Sequence, residues 1–349
     1  MEFVSAIIPK SERFRFDIIF DMETMRAMFG RTMVLAFLLL PALAAQADTK
    51  ARPEIHAVWD HTGRGLYPGD WPKTFKILKE ANVTDVFVNV AGPDFAHYAS
   101  SIVPRSKAFS DYGDQLAACL RAAQGTGIRV HAWIICFNAT RGVPKSLETF
   151  KARGWRMKDK DGVLTTYLNP ANANVRSYAL AIVDEVNSRY GVSGIHLDFV
   201  RWGHTVAKPA DAAAQVTQFV AEARRRVKRP RQLTAAVYAK YPRCIETVGQ
   251  DWVKWIDFNL VDYVVPMDYT ESMTQFESFL GQHASPKWHA GRTIAGIGVT
   301  ASESNLGADQ VVEQIRLSRK HGLAGQSLFD LDATLERKIL PVLRKGVWK

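Results

Sequence analysis

Cysteine is scarce in this chain. Cys119, Cys136 and Cys244 are its three cysteines in 349 residues, too few and too scattered for a disulfide framework, and none has the paired spacing of a zinc site. They read as small core residues, one pair of which could oxidise outside the cytoplasm. No Gly/Pro/Ser-rich linker, low-complexity tract or composition break divides residues 54 to 349, so a single domain is expected there. The first strand candidate is followed by Trp59-Asp-His-Thr-Gly-Arg-Gly65 and not by G-x-G-x-x-G, which weakens the alternative of a doubly wound nucleotide-binding sheet. A dense basic run with interleaved aromatics is also missing. The net charge of +10 therefore favours anionic surroundings such as a cell-wall polymer over nucleic acid. The densest basic cluster, Arg224-Arg-Arg-Val-Lys-Arg229, closes a helix, where cations suit the dipole.

What is present begins at the N-terminus. Met33-Val-Leu-Ala-Phe-Leu-Leu-Leu-Pro-Ala-Leu-Ala44 is apolar, preceded by Arg26 and Arg31 and followed by the small-x-small triplet Ala45-Gln46-Ala47. This is the form of a secretory signal peptide, and the run is too short to span roughly 30 Å of hydrocarbon as a membrane anchor. Residues 1–47 are expected to be removed, with Asp48 first in the exported chain and no stable membrane insertion afterwards. Residues 1–24 are not needed by such a signal, and Met25 or Met28 would each begin a conventional one. Residues 1–47 carry five basic and five acidic side chains, so residues 48–349 keep the whole positive charge. A periplasmic or secreted location is expected.

From residue 54 onward, short runs rich in β-branched and aromatic residues alternate with stretches of helical periodicity, the pattern of βα units around a parallel sheet. Eight strands are expected: 55–59, 85–90, 129–137, 194–200, 232–238, 261–267, 293–299 and 326–331. Helices are expected near 71–81, 114–126, 173–190, 211–228, 250–257, 272–282, 308–321 and 334–344. Eight repeats in about 300 residues predict a (β/α)8 barrel over residues 48–349. The longest stretch between elements, Asn138 to Pro170, follows the third strand on the face where barrels build their sites.

In such a barrel, polar residues at the C-terminal ends of strands read as functional, because the strand interiors fill with apolar layers. The rule selects Asp60 and His61, Asn138, Asp198 and Arg201, Asp268 and Tyr269, and Asp330, with Asp332 read as a helix cap. The seventh strand offers no carboxylate before Glu303. In Gly194-Ile-His-Leu-Asp-Phe-Val-Arg-Trp202 the period of two turns His196 and Asp198 to the same side, toward the barrel axis. Asp198 is the expected nucleophile or base and Asp268 the expected acid, with Asp330 and Glu271 as substitutes. Two carboxylates across a barrel mouth suit acid–base cleavage of an acetal. Asp60, His61, Asn138, His196, Arg201, Tyr269 and Asp330 are expected to bind substrate, and Trp133 and Trp202 to offer faces for sugar rings. No metal or other cofactor is expected.

Two stretches carry a family resemblance. Tyr167-Leu-Asn-Pro-Ala-Asn, Val175-Arg176 and Tyr190-Gly-Val-Ser-Gly-Ile-His-Leu-Asp-Phe-Val-Arg201, with the later Val261-Asp-Tyr-Val-Val-Pro-Met-Asp-Tyr269, resemble the glycosyl-hydrolase-like family 10 proteins, exported bacterial barrels. The resemblance covers about residues 54–335. It implies a barrel with glycoside hydrolase activity on a polysaccharide, peptidoglycan for some members, and points to Asp198, Arg201, Asn169 and Asp268. Ser193 stands where that family often has Asp, and His56-Ala-Val-Trp59 where an arginine commonly leads. The rival functions are a non-catalytic sugar-binding barrel and a metal-dependent hydrolase or deacetylase using His196 and Asp198.

Overall fold

The computed structural model describes residues 53–348; the expected signal peptide and the processing site before Asp48 lie outside them. Eight strands form the barrel: β1 (Ile55–Asp60), β2 (Asp85–Gly92), β4 (Arg129–Ile135), β7 (Gly194–Asp198), β8 (Gln232–Tyr238), β9 (Tyr263–Met267), β10 (Ile294–Gly298) and β11 (Gly325–Phe329). Each is parallel to its neighbours, and β1 pairs with both β2 and β11, which closes the sheet on itself. The two-residue β3 (Phe95–Ala96) runs antiparallel to β2 on the rim.

Strand alternation sorts the apolar residues into two cores. Ala57, Trp59, Phe87, Trp133, Ala236 and Val265 fill the lumen. Val58, Val86, Val88, Ile195, Leu197 and Val264 point outward to the helices. Facing them are Phe75 and Leu78 of α1 (Trp71–Glu80), then Ile182 and Val186 of α5 (Ala173–Arg189), and Phe219 of α6 (Ala212–Arg226). Each such side chain taken from water contributes about 1.5–3 kcal/mol, so the helix layer is a consequence of the alternation. The helices start where short polar residues cap them. Asp70 accepts from the Lys73 N–H, and Asn172 from that of Asn174. The cysteines are all buried and unbridged.

The barrel is therefore as expected, with strand ends differing by a residue or two. The stretch from Asn138 to Pro170 is not a bare loop. It holds α4 (Pro144–Ala152) and a hairpin of β5 (Arg156–Lys158) and β6 (Leu164–Leu168), whose backbone pairs with Asn138 through Tyr167. Short elements of this kind carry too little periodicity to register in sequence. The same holds for α2 (Lys107–Tyr112), α7 (Arg243–Val248) and α10 (Lys287–Ala290). The remaining helices are α3 (Gln115–Ala123), α8 (Trp252–Asp257), α9 (Met273–His283), α11 (Ala308–Lys320) and a C-terminal run of consecutive helical segments over residues 335–347, where the last helix was expected. Among the described residues, no helix is long and apolar enough to cross a membrane.

Candidate active site

A cleft of about 280 Å³ opens at the C-terminal mouth of the barrel, with Asp198 lining it among Trp59, His61, Trp133, Tyr269 and Phe329. Asp198 ends β7, and alternation from Ile195 and Leu197, both in the outer core, turns it inward as expected. Two hydrogen bonds and one ion pair orient its carboxylate. The Trp133 indole N–H reaches Oδ2 at 3.1 Å, the Phe199 N–H reaches Oδ1 at 2.6 Å, and Arg201 Nη1 lies 3.5 Å from Oδ1. Phe199 takes a φ of +47°, a left-handed conformation costly for an aromatic residue, which turns its N–H back onto the carboxylate. Burial raises the Asp198 pKa above its ordinary value, and Arg201, the Phe199 N–H and Trp133 only partly oppose it.

The other wall carries Tyr269, which stacks on Phe329 with ring centres 5.5 Å apart and meets Trp59 edge-on. A Cβ on Gly298 would come within 2.8 Å of the Tyr269 ring, so the glycine of β10 gives that ring its seat. Burial, with the carboxylates of Asp198, Glu303 and Asp330 around it, pushes the Tyr269 phenol well above its usual range. The half-exposed His61 ring lies 5.8 Å from Trp133, and its Nδ1 is 4.0 Å from Asp330 Oδ2. Burial and Arg141 lower the His61 pKa, against the pull of Asp198. The Asp330 side chain is 15% exposed and accepts the His61 backbone N–H at 3.2 Å. Burial raises its pKa to about 7, with the nearby carboxylates of Asp60 and Asp332 adding to the effect.

The cleft thus brings together Asp198, Arg201, Trp133, Tyr269 and His61, while Asp330 does not line it and lies behind His61. Other expected site residues are placed elsewhere. Asp268 is fully buried outside the lumen, its Oδ1 2.8 Å from His283 Nε2 of α9, so the expected acid cannot reach substrate from here. Asp60 is fully buried, and both of its oxygens serve its own turn, accepting from Thr62, Gly63 and Gly65. Asn138 accepts from Thr166 Oγ1, and Asn169 accepts the Ala171 N–H, so both shape the hairpin insertion. Trp202 packs in the outer core and donates to the Ala212 carbonyl.

His196 faces the lumen as expected but is sealed below the cleft. Its Nε2 accepts the Trp59 indole N–H at 3.0 Å, which leaves the proton on Nδ1, 2.8 Å from Thr234 Oγ1. Burial holds this imidazole neutral, its pKa well below the ordinary value. With the Nε2 lone pair occupied, His196 does not act as a metal ligand beside Asp198 in this geometry. Among the described residues, no group of three His, Cys, Asp or Glu side chains is arranged to hold a metal ion.

Glu303 and Phe329 also line the cleft, and neither was selected from sequence. Glu303 lies five residues past the end of β10, beyond the reach of a strand-end rule. Phe329 is the last residue of β11, an apolar side chain to which a rule for polar strand ends does not apply.

A parallel eight-stranded barrel with a buried carboxylate in an aromatic cleft at its C-terminal mouth is a frame on which barrel enzymes build their sites. Residues 73–323 match the family described as "Putative glycosyl hydrolase domain", and the chain belongs to that family. No curated protein sequence matches it. Among solved structures, the glycoside hydrolase domain of PgaB (BpsB) from Bordetella bronchiseptica superimposes with a TM-score of 0.63 at 12% identity, covering 84% of this chain and 98% of that one. The spore cortex-lytic enzyme SleL of Bacillus cereus gives 0.54 at 10% identity, covering 85% and 74%. A family GH18 chitinase from Cycas revoluta in complex with allosamidin gives 0.54 at 12% identity, covering 84% and 99%. At these identities the likeness is one of fold.

Proposed function

We propose that this protein is an exported glycoside hydrolase that cleaves a polysaccharide at the barrel mouth by two-carboxylate catalysis without a metal, Asp198 being the nucleophile or base and Asp330 the proton donor. The observation that carries the reading is Asp198 itself, a carboxylate on the lumen side of its strand held by two hydrogen bonds and the Arg201 charge, with flat aromatic faces beside it. Side chains such as Trp133 and Phe329 suit the apolar faces of pyranose rings, while the carboxylate meets the charge that develops at the anomeric carbon.

A donor to the leaving oxygen must hold a proton at working pH. Asp330, whose pKa is raised to about 7, does so, and it replaces Asp268 in that role. Asp330 is protonated and competent below its pKa, so turnover falls as pH rises through about 7. Asp198 must be ionised, so turnover also falls as pH drops through its own raised value, giving a bell-shaped profile.

Export rests on the apolar run 33–44 and the triplet Ala45-Gln46-Ala47; N-terminal sequencing of periplasmic protein should begin at Asp48. A cell-wall glycan is the favoured polymer, on the excess of positive charge and on the resemblance of residues 167–201 to glycosyl-hydrolase-like family 10. The test is release of reducing ends from peptidoglycan and from neutral polysaccharides, with and without a chelator, by the wild type and by Asp198→Asn. The wild type should cleave at least one of them whether or not chelator is present, and the variant none. Equal turnover by both would remove Asp198 from the reaction.

A further inference from the structure

Beside the cleft that holds Asp198 lies a second, of about 700 Å³, and the two share Arg201, Met267, Tyr269 and Glu303 along their common wall. The second cleft is unbalanced in charge. Arg201, Lys240 and Arg243 line it against a single carboxylate, Glu303. Lys240 and Arg243 are exposed, and neither has an ion-pair partner among the described residues. Arg201 is only 6% exposed, its guanidinium lies 3.9 Å over the Phe199 ring and 4.9 Å from that of Tyr238, and its buried Nη1 faces Asp198 Oδ1 at 3.5 Å without completing a hydrogen bond. A guanidinium held by two rings on the wall shared by both clefts is placed to meet an oxyanion in the second.

We propose that this second cleft is a subsite for a carboxylate-bearing sugar residue, so that the substrate is an acidic glycan whose charged unit lies next to the bond presented to Asp198. The proposal rests on the glycoside hydrolase reading and specifies its substrate class. Arg201 lines both clefts and links them, its Nη1 turned toward Asp198. Lys240 and Arg243, on the loop after β8 and at the start of α7, supply the outer charges. Tyr238 and Tyr269 provide aromatic faces for the ring that carries the anion. Charges at the rim of such a site act on affinity and on its salt dependence.

Binding is measured on the full chain carrying Asp198→Asn, so that no probe is consumed. The probes are peptide-free peptidoglycan strands, which bear lactyl carboxylates, oligogalacturonate, and chitooligosaccharides of matched length, which are neutral. At least one carboxylated probe should bind tenfold or more tightly than the neutral one, and 0.5 M NaCl should erase most of the difference. Adding Lys240→Gln and Arg243→Gln, which keep polar stems at exposed positions, should bring the acidic and neutral probes within about twofold of each other. Equal affinity for all probes, no binding of any, or a preference that survives the double substitution would each overturn the proposal. Hydrolysis of 4-nitrophenyl N-acetyl-β-glucosaminide and of the glycans by the unaltered protein tests the catalytic reading separately. Charge-selective binding without any turnover would leave the subsite standing and remove the hydrolase.

Discussion

The two ends of the barrel treat carboxylates in opposite ways. At the N-terminal end, Asp85 receives two hydrogen bonds from Arg129 and sits 2.7 Å from His131 Nε2, so its pKa falls to about 2 despite its burial. Glu54, just before β1, is held well below the carboxylate range by His56, Arg319 and Gln326. At the C-terminal end, burial wins, and Asp198 and Asp330 are both raised. A carboxylate with a complete set of partners stabilises the fold and is chemically inert. One buried with fewer partners costs stability and retains a proton or a lone pair for use. The barrel closes its lower end with ion pairs and leaves its upper end electrostatically unfinished.

The largest effect that could break this contrast is at Asp198. Asn there should reduce turnover by at least about a thousandfold, a loss of about 4 kcal/mol of transition-state stabilisation, while leaving the melting temperature within a few degrees of wild type. Next comes Asp330→Asn, for which kcat should fall by roughly 10²-fold on substrates with poor leaving groups and far less on aryl glycosides. The alkaline limb near pH 7 should vanish from its profile; a limb that persists would assign the proton to another group, with Glu303 the first to examine.

At the lower end, Asp85→Asn should cost about 2–3 kcal/mol of stability at pH 7 and leave kcat per folded molecule unchanged. Because the folded-state pKa of Asp85 is depressed, its contribution is complete above about pH 4 and is lost as pH falls toward 2. Urea melts across that interval should therefore show the wild type, and not the variant, losing this increment. The smallest effect is expected at Glu271, which is exposed and accepts the Asn305 N–H at 3.0 Å. Glu271→Gln should change turnover by less than about twofold, and a larger loss would return it to the list of acids.

Much of this arrangement was legible in sequence because one physical rule, strand alternation, generates both the barrel and its inward residues. Beyond the strand ends, what decided the outcome was parity combined with contacts from distant strands. On β9, Val265 is in the lumen and Met267 and Tyr269 line the cleft, so Asp268 turns outward, where His283 receives it. The same parity turns Asp60 away while Trp59 and His61 face the cleft. His196 has the right parity but lies one pleat, about 7 Å, deeper than Asp198. It is sealed by Trp59 from another strand, a contact that no local pattern reveals. Lys240, Arg243 and Glu303 lie on loops beyond their strands, where neither period applies.

The central claim is tested most directly by measuring kcat and melting temperature side by side for Asp198→Asn and Asp85→Asn. The account predicts a crossed result, in which Asp198→Asn keeps its melting temperature and loses turnover, while Asp85→Asn melts several degrees lower and turns over normally once folded. Loss of stability at Asp198 with activity retained, or the same pattern at both positions, would contradict it.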